Sequence, residues 1–114
     1  MLTKEAILAA SDLKTETVSV AEWGGDVKVR SMTGLERDSF GASLRDADGK
    51  VTLVNYRAKL LVRCMVNDDG SPMFTVDELA AIGGKSSAAI DRVFTVAERL
   101  NAMMPDALDA AEKN

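Results

Sequence analysis

A chain of 114 residues has room for one hydrophobic core; 46% of the residues are apolar and only 4% aromatic, so that core is expected to be aliphatic. The net charge of −4 is spread evenly, seven basic and nine acidic residues falling in each of 1–50 and 51–114, which argues against the cationic surface that binding to nucleic acid demands. A single cysteine, no histidine and no apolar run near the roughly 20 residues that cross a bilayer exclude an internal disulfide, histidine-based nucleophile pairs and a membrane helix.

The first element read from the N-terminus is a short helix capped by Thr3 and running to Ala10 over the Ala-Ile-Leu-Ala-Ala segment. No basic region followed by a long apolar run precedes it, so a cytoplasmic location is expected. After Leu13 the period changes to two: Val18 and Val20, then Val27 and Val29, alternate with polar or small residues. Gly24-Gly25-Asp26 separates the two runs and predicts a β-hairpin over about 16–31. A two-stranded hairpin is marginal alone, so its valine face must meet helices.

Thr33 followed by Glu36 forms a capping-box pattern, and Leu35, Phe40 and Leu44 are expected to face inward before Asp46-Ala47-Asp48-Gly49 ends that helix. The segment Val51–Val66 reads as one central helix, with Val54, Ala58, Leu61 and Met65 on its apolar stripe and Asn55, Lys59 and Arg63 on the opposite face. Asn67 to Pro72 is a turn. A short helix from Thr75 to Gly83-Gly84 follows, and then a long helix capped by Ser86 or Ser87, with Ile90, Val93, Phe94, Ala97, Leu100 and Met104 on its inner stripe. Pro105 interrupts it, and 105–114 is expected to be a flexible tail. The expected architecture is therefore α+β: a single domain over 1–104, mostly helical, with an N-terminal hairpin packed on four to five helices.

Chemistry is harder to find. Gly83-Gly84-Lys85-Ser86 resembles the end of a phosphate loop, but Leu79 occupies the place of the first glycine and a helix precedes it where a strand is required. The two Asp-rich runs ending in Gly49 and Gly70 would put Leu44 or Met65 at the first calcium ligand and Asn55 or Val76 at the last, so both are turns. Cys64 lies in an apolar stripe and reads as a small buried hydrophobe. No catalytic, metal or cofactor residues are assigned. The candidates for partner binding are Trp23 at the hairpin tip, Phe94 and Met103, since tryptophan is enriched in binding hot spots and methionine adapts to varied surfaces.

The order of these segments resembles the tail assembly chaperones of long-tailed bacteriophages and prophages: LTKEAILAA, VSVAEWGGDVKVRSM, TGLERDSF, YRAKLLVRCMV, NDDGSPMFT and KSSAAIDRVFTVAERLN in turn. The resemblance implies a non-enzymatic role in the host cytoplasm: binding the tape measure protein, keeping its helical apolar segments soluble, helping to recruit tail tube subunits, and leaving before the virion is finished. It also implies a shorter and a frameshifted longer version, the end DALDAAEKN fitting the shorter. Self-association is a further expectation from an exposed apolar groove, without a heptad seam to name the number of copies. Two other readings stand beside it: a structural tail or connector protein, and a helix-turn-helix regulator hinted at by the Ile82-Gly83-Gly84 break. The second is poorly served by Asp91 and Glu98 beside Arg92 and Arg99.

Overall fold

A computed structural model describes residues 1–103. Its elements are α1 (Lys4–Ala9), β1 (Thr15–Val20), β2 (Gly25–Arg30), α2 (Gly34–Ser43), α3 (Tyr56–Cys64), β3 (Met65–Val66), α4 (Leu79–Gly83) and α5 (Ser87–Leu100). Three antiparallel strands in the order β1-β2-β3 and five helices make an α+β fold, as expected.

Thr15 pairs with Arg30 and Val20 with Gly25, so the hairpin loop is Ala21–Gly24. Gly25 and Asp26, expected in the turn, are strand residues. Gly24 closes the loop at φ 73°, a conformation that favours glycine, after a 3₁₀ turn over Ala21–Trp23. Cross-strand pairing puts Val18 opposite Val27 and Glu16 opposite Val29 on one face. Val18, Val20 and Val29 on that face are buried, α5 packs on both strands, and Glu16 pairs with Arg99 of α5 (2.8 Å).

The segment 51–66 departs from the expected single helix. Val51 bridges to Arg45, Asn55 sits at φ 57°, and the helix spans only Tyr56–Cys64. Val54 is consequently exposed, and Met65-Val66 turns extended and pairs with β2 as a third strand, Val29 opposite Met65. A short apolar run such as Cys64-Met65-Val66 carries no period signal that separates the end of a buried helix from a buried strand. The short helix before the glycines also starts later than read: Thr75 caps a turn by donating its N–H to Glu78 (2.8 Å), and α4 begins at Leu79.

The core joins the strand valines to Leu60, Leu61, Val62 and Cys64 of α3 and to Ala89, Val93 and Ala97 of α5. Three of the five aromatic side chains form an edge-to-face chain through it, Phe40 to Tyr56 (5.4 Å) and Tyr56 to Phe94 (5.7 Å). The capping box on α2 is present: Glu36 N–H donates to Thr33 Oγ1 and Thr33 N–H to Glu36 Oε1. Glu36 also accepts two hydrogen bonds from Arg30 Nη2 (2.7 and 2.9 Å), tying the end of β2 to the start of α2. Both Asp-rich runs are turns in which one carboxylate is held by its own chain: Asp46 Oδ1 accepts from the Asp48 and Lys50 N–H groups, and Asp69 Oδ1 from the N–H and hydroxyl of Ser71. Met104 and 105–114, read as core filler and tail, lie outside the described residues.

Candidate functional site

The strongest exposed feature of the body is an apolar surface built around Phe74. The turn at 67–70 and a bridge between Val66 and Pro72 return the chain alongside β3, and Met73 N–H donates to Met65 O (3.1 Å), which fixes where Met73, Phe74 and Val76 emerge. Phe74 borders two recesses. One, of about 270 Å³, is walled by Trp23, Val27, Met65, Met73, Phe74 and Ile82. The other, of about 380 Å³, lies over α2 and α3 between Leu35, Val62, Arg63, Phe74 and Val76. Leu35 is 84% exposed, Val76 49% and Met73 39%, an unusual concentration of large apolar side chains at one surface. Leu35, expected to face inward, is therefore on the rim of this surface; the core side of α2 is taken by Phe40 alone.

Of the three residues singled out from sequence, the structure brings only Trp23 to this surface. Its ring is half-buried at the hairpin tip, and the tip is braced by a bidentate pair from Arg92 to Glu22. The hydrogen bond from Arg92 holds the Glu22 carboxyl below its usual range. Trp23 Nε1 is buried and has no acceptor among the described residues. Phe94 is buried, edge-to-face with Tyr56 and capped by the Arg57 guanidinium at 5.6 Å, and it lines neither recess. Met103 packs half-buried beside the core beyond the end of α5 and lines neither recess.

Sequence reading missed Arg63, which was placed on the solvent face of α3. It is 9% exposed, the one buried charged side chain among the described residues. Its Nη1 donates to Lys59 O (2.6 Å) and its Nη2 to Ser39 Oγ (3.0 Å), while Nε has no acceptor. Burial pushes its pKa down from the ordinary guanidinium value. A charge three positions from Leu60 gives no sequence signal of burial, because α2 covers it only in three dimensions. Cys64 is buried with its thiol pushed up to about 12, and no three potential metal ligands cluster among the described residues.

The family model for phage tail assembly chaperones matches residues 2–113. The chain belongs to this family. No curated protein matches it. Among solved structures, the fold is similar to that of the tail assembly chaperone of bacteriophage HK97, with a TM-score of 0.61 at 20% identity, covering 84% of this chain and 90% of that one. At that identity the likeness concerns the fold alone.

Proposed function

We propose that this chaperone acts without catalysis, in the cytoplasm of the host, by binding the tape measure protein and assisting tail tube assembly, and that it leaves before the virion matures. The observation that carries this reading is the apolar surface around Phe74. Exposed Leu35, Met73 and Val76 beside two recesses suit helix-in-groove contact, in which an amphipathic helix lays its apolar face on adaptable side chains. A long helical client with exposed apolar stripes would be kept soluble by such cover. The test is capture of a tape measure segment by the full chain and by Trp23→Ala, Met73→Asp and Met103→Asp. Trp23→Ala and Met73→Asp are expected to weaken capture about tenfold, or ~1.4 kcal/mol, and Met103→Asp much less. Equal capture by all four proteins rejects this surface. Purified tails that contain the chain would favour a structural tail protein instead.

A second contact, with other copies of the chain, is favoured by the N-terminal arm. Residues 1–15 are all exposed, and Leu2, Ile7 and Leu8 lie 77%, 56% and 75% open. Apolar side chains held so far from any core need cover from another molecule to justify their place.

A further inference from the structure

The larger recess beside Phe74 contains a buried charge with no ion pair among the described residues, Glu36 acting on it only from a distance. Arg30, Arg57, Arg92 and Arg99 each hold a carboxylate within 4.0 Å, yet all four are more exposed than Arg63, which holds none among the described residues. Glu36, the carboxylate that lines the same recess, is committed to Arg30 and to the Thr33 N–H. The Arg63 guanidinium is left with neutral oxygens of Lys59 and Ser39, the face of Phe40 at 5.9 Å, and an Nε–H with no acceptor. Buried charges are ordinarily paired, because a low-dielectric wall replaces the hydration they lose only when an opposite charge or a full set of hydrogen bonds is supplied. Guanidinium does not solve the problem by losing its proton.

We propose that this recess binds an amphipathic segment of a partner protein that rests apolar side chains on Leu35, Phe74 and Val76 and brings one Asp or Glu carboxylate to the Arg63 guanidinium. The inference deepens the chaperone reading above and rests on it. Charge complementarity selects this occupant. A wholly apolar segment would cover the guanidinium with hydrocarbon, removing its remaining water and returning nothing, whereas a carboxylate placed there meets a planar donor fork in a poorly screened site. Such a pair also sets register. Along a long helix with many similar apolar stripes, the stripe with a carboxylate at the correct position docks and its neighbours do not.

The test uses two synthetic amphipathic helices with Leu at i, i+3, i+4 and i+7, identical except for one central Glu in the first and Gln in the second, titrated calorimetrically into the full chain. The Glu peptide is expected to bind about tenfold more tightly than its Gln twin. Arg63→Met should bring that ratio to near one, Arg63→Lys should retain part of it, and Val76→Asp should weaken both peptides. Equal binding of the twins by the wild type, an undiminished preference in Arg63→Met, or no binding of either peptide would overturn the proposal. Should Arg63→Met fail to fold, the wild-type comparison still decides, together with the Arg63 Nε–H resonance, which should move with the Glu peptide and not with the Gln peptide. If the wild type captures a tape measure segment but does not distinguish the twins, the carboxylate anchor falls and the chaperone reading stands. Twins distinguished without capture of the tape measure would mean the reverse.

Discussion

Cys64 and Arg63 are adjacent on α3 and show what one helical position changes. Cys64 faces α5, and Asn101 Nδ2 approaches its Sγ at 3.5 Å while Asn101 Oδ1 accepts from Met32 N–H (2.8 Å). Burial pushes the Cys64 thiol from 9.0 to about 12. Folded protein is therefore expected to resist alkylation by iodoacetamide at pH 8, and to react once denaturant opens the core. The same shift has a consequence for stability. Between pH 9 and 12 the unfolded chain loses the thiol proton that the folded chain keeps, so the contribution is intact below pH 9 and is lost as pH rises toward 12. Chemical denaturation of wild type and Cys64→Ala across that range checks the sign: the wild type should lose more stability on alkalinisation than the variant. The buried character of Cys64 was legible in the sequence because its neighbours Leu60 and Leu61 share its stripe. That of Arg63 was not, since a charge in an amphipathic pattern reads as solvent-facing by default. Phe94 was legible as core and equally legible as contact, and only the Tyr56 ring beside it separates the two.

At the scale of elements, local side-chain chemistry was the reliable guide and long apolar runs were not. Thr33 and Glu36 announce the start of α2 through a reciprocal pair of hydrogen bonds that needs only three residues of spacing. Thr33→Ala removes the acceptor for Glu36 N–H and is expected to cost about 1 kcal/mol of unfolding free energy, measured by urea titration. Leu35, two residues after Thr33, is on the open side, and Leu35→Asp should change stability by less than about 0.5 kcal/mol, since the side chain stays largely in water when the chain folds. Phe40→Ala on the covered side of the same helix should cost about 3–5 kcal/mol. The contrast checks the orientation of α2 directly, because the inward pattern read from sequence would make Leu35 costly too. Met65-Val66 was misread for a reason of the same kind. Two residues that end an apolar helix and begin a strand share composition with both, and what decides for the strand is the free edge of β2, to which Lys28 and Val29 offer partners.

The whole molecule raises a question that its core does not answer: why an apolar arm stands off the body. Thr3 caps α1 by accepting the Ala6 N–H (3.1 Å), and Leu2 and Ile7 occupy the two positions that staple a helix start, so the local sequence does specify a turn of helix there. Yet α1 has six residues and none is buried, whereas isolated helices in water are marginal even at about 12–15 residues. No face of α1 is buried among the described residues, so its persistence calls for packing that they do not supply. This was partly legible, since the cap and the Ala-rich run are visible in sequence, but the absence of any face on the body for Leu2, Ile7 and Leu8 is a property of the fold. The expected outcome is that Leu2→Glu combined with Ile7→Glu leaves the unfolding free energy of dilute protein within about 0.5 kcal/mol of wild type, because no core contact is lost. The same double variant is expected to lower the average mass of concentrated protein in sedimentation equilibrium, if copies of the wild type meet through the arm as proposed. A joint fall in stability and association would mean that the arm belongs to the monomer's core. Unchanged association would mean that copies meet elsewhere, and a contact that joins an arm to a different patch on the next copy is heterologous and can repeat into rings or open helices.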